Sequence, residues 1–356
     1  MSDEQTLLAV LVVIYLVDCV YWVPRSGLSV TNWLSKRWTL RFPSAIVGNE
    51  RGALGFANPL PPLGLASRCL GLTISIAHEG IFSRKLWRWS EIKTVERSER
   101  EILINGELFY KAPTEYAARR LAIELARLSK RDDKKRAVEI TKLISDSCDP
   151  DLITNRIDTF KKTTARLRLL ANILFAFLFI ICPFSVWRFG IVAALWPIVG
   201  AMYLQTIVIS LLFSKAHRKI YPDDSAQILK PFITMLLAAP SAIRVQDILC
   251  RPLLEPFHPL AVAKALCPPD QFTPLASQTI RDLTYPRQKL NTVESAHRDT
   301  LLKTITTQLE LDPADFLQPP KPTESTHTKY CPRCLQQFTQ HAASCPDCGE
   351  RELNRF

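Results

Sequence analysis

The sequence predicts an integral membrane protein: three transmembrane helices, a cytoplasmic α+β domain, a helical cytoplasmic subdomain and a C-terminal four-cysteine module. Three observations predict it. Uncharged apolar runs are long enough to cross a bilayer, Lys and Arg cluster on one side of those runs, and two CxxC pairs stand ten residues apart near the C-terminus. The chain has 356 residues, 47% hydrophobic and 22% charged, with a mean hydropathy of +0.04, which excludes collagenous and wholly disordered classes. That intermediate hydropathy arises when very apolar stretches are averaged with ordinary soluble ones, and the length suits two or three domains.

The first run, Leu7 to Val23, has 17 residues and reaches roughly 25 Å as a helix, just enough for a hydrocarbon core about 30 Å thick. Its start, MSDEQT, is acidic, and Val17, Asp18 and Val20 do not make a cleavage site, so an anchor is expected rather than a cleaved leader. Leu169 to Trp187 and Ile191 to Phe213 are 19 and 23 residues separated only by Arg188, Phe189 and Gly190, the pattern of a helical hairpin. Apart from Asp18, the three runs contain no Asp, Glu, Lys or Arg. Asp18 lies near one end of its run and can reach headgroup water, although intramembrane carboxylates also serve ion pathways.

Orientation follows from the reluctance of Lys and Arg to be translocated. Arg25, Lys36, Arg37 and Arg41 follow the first run, Arg156, Lys161, Lys162, Arg166 and Arg168 precede the second, and Lys215, Arg218 and Lys219 follow the third. The N-terminus is expected outside and the C-terminal module in the cytoplasm, as in a multi-pass protein of a bacterial inner (plasma) membrane. Between 25 and 168 there are 27 Lys and Arg against 16 Asp and Glu, so this segment carries the whole net charge of +11. Basic residues so close to a membrane suit an anionic inner leaflet, each contributing about 1 kcal/mol there. Nucleic acid ranks well behind as a partner, because no aromatic-interleaved recognition motif accompanies the charge.

Alternating runs from Leu72 onward indicate short antiparallel strands, and Asn105-Gly106 between EILI and ELFY suits a type I′ hairpin turn. At Pro113 the period changes to helical, with Tyr116, Leu121, Leu125 and Leu128 near one face and Thr114 as a cap. Around GIFSRKLWRWSEIKTVERSEREILING and the helix Pro113 to Lys130, the segment resembles the bacterial pleckstrin-homology-like module. That resemblance implies a small curved sheet capped by a helix, acting in membrane-proximal binding or assembly, with its earlier strands drawn from Trp38 to Phe56. A generic small α+β domain is the competing reading. Trp87 and Trp89, near Lys85 and Arg88, suit either the core or a lipid interface.

The expected organisation is a membrane anchor over 1–24, a basic cytoplasmic domain over 25–130 with the module-like core at 67–130, and a charged helical connector over 131–168. The transmembrane hairpin occupies 169–213, a helical subdomain 214–315, a flexible linker 316–328 and the cysteine module 329–356. PFITMLLAAP (231–240) is too short to cross, and the helices after it are spaced by prolines. His258 and His297 are single histidines without a companion cluster.

Cys331-Pro-Arg-Cys334 and Cys345-Pro-Asp-Cys348-Gly349 are two CxxC knuckles that can each wrap one side of a tetrahedral ion. They resemble the rubredoxin-like arrangement called a zinc ribbon. The resemblance implies structural Zn2+ on Cys331, Cys334, Cys345 and Cys348, with iron or disulfides as rivals and His327 and His341 as bystanders. Four thiolates close the coordination shell, so no catalysis is expected at the metal.

The sequence therefore points to a non-catalytic membrane scaffold or adaptor that meets the inner leaflet and recruits a cytosolic protein through its ribbon. Two other classes compete: a membrane enzyme or enzyme subunit acting on a lipid-like substrate, with Asp18, His217 and His258 as candidate groups, and a membrane-tethered nucleic-acid binder. No GxxxxGK, HExxH or GxSxG motif is present.

Overall fold

The structure, a computed structural model, describes residues 5–6, 9–10, 27–30, 38–41, 54–57, 67–69, 74–112, 115–222, 228–237, 242, 245–250, 253–266 and 269–356. Two compact units emerge, one drawn from 1–41, 54–68 and 154–254, the other from 42–53, 69–153 and 255–356.

The first unit contains a four-stranded sheet of order β2-β1-β3-β4, built from β1 (Gly27–Val30), β2 (Trp38–Arg41), β3 (Leu54–Ala57) and β4 (Ser67–Cys69). β1 pairs antiparallel with β2, from Gly27 opposite Arg41 to Val30 opposite Trp38, and parallel with β3. This corrects the pleckstrin-homology-like expectation. Among the described residues, the strands Trp38–Arg41 and Leu54–Ala57 join no sheet with those after residue 74; both pair instead with β1.

The three-span architecture is also corrected. Among the described residues one helix, Ala193–Ile220, is long and apolar enough to cross a membrane, by length and hydropathy alone. The first expected span, 7–23, lies outside the described residues except for 9 and 10. The second is not one α-helix: 169–187 is divided among the end of α3 (Pro150–Ala176), a five-residue π turn (Phe177–Ile181) and α4 (Cys182–Phe189). Pro183 gives the reason. It has no N–H to continue the α ladder and its ring crowds the preceding turn, so the chain widens, with Cys182 N–H donating to the Phe177 carbonyl.

Gly190, at φ +78°, reverses the chain into α5 (Ile191–Ile220), which packs against α4. α6 (Leu229–Leu237) also packs on α5 and buries Met235, and α7 (Val245–Cys250) follows. Leu167, Ala171, Leu174, Leu178, Cys182 and Val186 form a buried stripe. Most of the other apolar side chains here are exposed, Trp187 at 69% and Trp196 at 76% among them.

In the second unit, β5 (Ser75–Ile76), β6 (Gly80–Phe82) and β7 (Leu86–Arg88) make one antiparallel sheet. β8 (Val95–Ser98), β9 (Glu101–Ile104) and β10 (Glu107–Lys111) make another. Gly80 faces Arg88 across the first, where any Cβ would press into the Trp87 carbonyl. The Asn105-Gly106 turn has φ +52° and +82°, the left-handed pair a type I′ hairpin needs. Asn105 does more than turn. Its Oδ1 accepts from the Lys93 and Thr94 amides at 2.8 and 3.0 Å, and its Nδ2 donates to the Glu91 carbonyl at 2.7 Å, pinning the preceding loop to the hairpin.

α1 (Glu115–Ser129) lies on β8 and β9, burying Ala118, Ala122, Leu125 and Leu128, and α2 (Asp133–Ser147) folds back on α1 from an Asp132 cap. Arg136 departs from the solvated face that its charge run suggests, being buried between α1 and Trp89. The segments on either side of the apolar helices come together here. α8 (Pro259–Leu266) and α9 (Pro269–Thr284) pack together, and α10 (Thr292–Gln308) contacts β5, β6, α2 and α9. α10 starts from an Asn291–Glu294 capping box and buries Val293, His297, Leu301 and Ile305. α11 (Pro313–Leu317) then leads toward the cysteine module.

Candidate metal centre

Each CxxC is carried by a strand into a tight turn. β11 (His327–Tyr330) delivers Cys331 and β12 (Gln337–Thr339) leaves after Cys334; β13 (Ser344–Cys345) delivers Cys345 and β14 (Arg351–Glu352) leaves after Cys348. β15 (Asn354–Arg355) pairs with the other edge of β11. Proline after the first cysteine presets the turn, and the residue after the second is left-handed in both, Leu335 at φ +62° and Gly349 at φ +71°. Glycine is required at the second: a Cβ on Gly349 would lie 2.7 Å from the Arg287 carbonyl oxygen.

The four sulfurs of Cys331, Cys334, Cys345 and Cys348 all lie within 4.8 Å of one another, so they can hold a metal ion such as zinc. Cys334 and Cys345 are 3.7 Å apart, too long for a bonded disulfide near 2.05 Å. It matches the edge of about 3.8 Å expected when four sulfurs surround one ion at roughly 2.3 Å. Burial alone would raise the Cys331 thiol, but the Cys334 and Arg333 amides and neighbouring thiols hold it below the ordinary range. Burial pushes Cys334 up to about 11, although the Gln336 amide opposes it. Backbone N–H groups thus face sulfur in the first knuckle, where they can moderate thiolate charge.

The module packs on the helical layer through Arg287, Arg333 and Arg351. Arg333 Nε is 2.8 Å from Asp282 Oδ1, with side chains only 6% and 13% exposed. Arg287 donates from Nε to the Asp347 carbonyl at 3.2 Å, and again through Nη2. Arg351 Nη2 donates to the Pro286 carbonyl at 2.6 Å and stacks over Tyr285. The linker is tied as well: Gln337 accepts from the Thr323 amide and donates to the Lys321 carbonyl, both at 2.8 Å. Arg333 and Asp347 were visible inside CPRC and CPDC, but their partners at 282 and 287 carry no sequence signal.

Among the described residues, the other candidates are not brought to this cluster, and His217 is buried with no hydrogen-bond partner for its Nδ1. Asp18 lies outside the described residues. His217 sits between the Phe213 and Tyr221 rings, with centroids 5.8 and 5.3 Å away. His327 Nδ1 is 3.1 Å from Thr323 Oγ1, and His341 is exposed. Trp87 and Trp89 are core residues: Trp89 donates to the Ala77 carbonyl at 2.8 Å, and Lys85 Nζ stands 4.2 Å from the Trp87 ring centroid.

His297 Nδ1 lies 3.2 Å from the Ile76 amide nitrogen and 3.0 Å from its carbonyl oxygen, tying α10 to β5. Burial lowers its pKa, against the Ile76 hydrogen bond. His258 accepts from the Leu260 amide, and burial, then repulsion from His297, lower its pKa to about 4. Unfolding returns both to the ordinary value near 6.5, so the unfolded chain binds more protons below that pH. Their contribution to stability is fully present above about pH 6.5 and is lost as the pH falls toward about 4. His258 alone should cost about 2 kcal/mol between pH 7 and pH 5. Urea midpoints of wild type and His258→Gln check this; an equal pH dependence in both would remove His258 as the cause.

Compared with family models, curated proteins and solved structures, the chain matches none of them.

Proposed function

We propose that this protein is a non-catalytic, membrane-attached adaptor whose apolar helices meet a bilayer with an anionic inner leaflet and whose ribbon recruits a cytosolic protein. The observation that carries this reading is the exposed apolar surface of the first unit. Phe184, Trp187, Phe189, Trp196, Leu204 and Leu211 are all exposed on two adjacent helices, a large amount of apolar side chain for a free surface. Basic residues frame it. Arg166 and Arg168 precede the Gly190 reversal by 24 and 22 residues, and Lys215 and Lys219 follow it by 25 and 29, so an antiparallel arrangement brings both groups to one end. That end suits lipid phosphates, and the inner membrane is the compartment this charge distribution favours.

Zinc is the ion this reading assigns to the four cysteines, because four thiolates at tetrahedral spacing are its usual structural set. Bound there, it would supply a closed coordination shell that stabilises the fold, with no open position for water. Four metal-binding thiolates would need the reducing conditions of a cytoplasm.

Flotation of detergent-purified full-length protein, after reconstitution, tests the membrane contact. Co-flotation with phosphatidylcholine vesicles should strengthen with added phosphatidylglycerol, and Trp196→Asp with Phe184→Asp should weaken it. Protein that stays at the bottom of the gradient with every vesicle would end the membrane reading. Affinity capture from detergent extract with intact and ribbon-deleted chains tests recruitment, and an identical partner set would remove the ribbon from that role.

A further inference from the structure

Each knuckle supplies a docking contact from between its own cysteines. Arg333 stands between Cys331 and Cys334 and pairs with Asp282 at 2.8 Å. Asp347 stands between Cys345 and Cys348, and its carbonyl accepts from Arg287. Gly349, directly after the last cysteine, presses against the Arg287 backbone, and Arg351 covers Tyr285 while donating to the Pro286 carbonyl. The docking surface is therefore made of the loops that a metal would shape. We propose that metal binding at the four cysteines and docking of the ribbon on residues 282–287 are one coupled equilibrium, making the ribbon a metal-operated latch on the helical layer.

The physical reason is geometric. Arg333 reaches a nearly buried carboxylate only if the first knuckle is closed, and the Asp347 carbonyl faces Arg287 only if the second is closed. The ribbon's own apolar interior is small: Cys331, Cys345 and Cys348 with Phe338 and Leu353 against them. Without an ion, little else fixes both loops at once. Opening frees Asp282 to be hydrated and uncovers the Tyr285 ring. Linkage also works in reverse, because any contact that stabilises the closed knuckles raises metal affinity by the same factor.

This latch rests on the metal reading of the site, and the test separates the two. Full-length protein in detergent and reductant is compared zinc-loaded and chelator-stripped, with bound zinc quantified and amide exchange followed over residues 278–290. Loading should slow exchange there by about tenfold or more, while the 101–111 hairpin is unchanged. Arg333→Met should still take up zinc when it is in excess, with an apparent affinity weaker by roughly tenfold. Bound zinc with no difference in exchange between loaded and stripped protein overturns the latch and leaves the metal site standing. Zinc affinity of Arg333→Met within about twofold of wild type also overturns it, since the factor expected of such coupling is at least about five. Failure of the wild type to bind zinc overturns both.

Discussion

Stripping the metal from the four cysteines is expected to unfold residues 327–356 while the layer of α1, α2 and β8–β10 stays folded. The ribbon strands are two to four residues long, and its buried hydrophobic side chains are Tyr330, Cys331, Cys345 and Cys348, with Cys334 exposed. So small a module cannot offset its chain entropy by apolar burial, whereas structural zinc contributes on the order of 10 kcal/mol. Leu335 and Glu350 add a local cost by adopting left-handed backbone at φ +62° and +57°. Cys348→Ser should weaken zinc binding at least about a hundredfold, because one neutral hydroxyl replaces a thiolate in a four-thiolate shell. Amide exchange and zinc titration read the two effects. A ribbon that keeps its protection in excess chelator would show that its strands, not the ion, hold it.

Arg136→Ala is expected to destabilise the second unit by about 3 kcal/mol, lowering Tm by roughly 6–12 °C for a unit of this size. Arg136 donates from Nε to the Leu128 carbonyl at 2.9 Å, which also accepts from the Arg131 amide, and from Nη2 to the Arg131 carbonyl just beyond the end of α1. It also pairs with Asp133 at 2.7 Å and lies 5.2 Å from the Trp89 ring centroid. Removing it takes a donor from each of those carbonyls, breaks the Asp133 pair and opens space beside Trp89, whereas removing exposed Lys134 from the same helix should change Tm little. A Tm within about 2 °C of wild type would mean that water replaces the guanidinium without penalty. The Arg127 and Arg131 pairs with Glu139 also join α1 to α2, but they are half exposed and contribute less.

Local features were legible in the chain. Asn105-Gly106 turns as expected because positive φ is a property of those two residues, and each CxxC turn carries a proline after its first cysteine, with Gly349 at the left-handed position of the second. The helices near 259–266 and 292–308 follow apolar spacing that the sequence displays directly. Hydropathy was less faithful at 169–187, where one proline divided a continuous apolar run.

By itself, then, the sequence determined the metal cluster, the hairpin turn and most helix positions, since each depends on residues within one short window. Tertiary structure alone decided that 69–153 and 255–356 share one unit, that strands before residue 70 pair apart from those after 74, and that the ribbon is docked. His297 meets Ile76 across 221 residues, and Arg333 meets Asp282 across 51. No periodicity encodes such pairs, because they form only where separately folded surfaces happen to match in shape and charge.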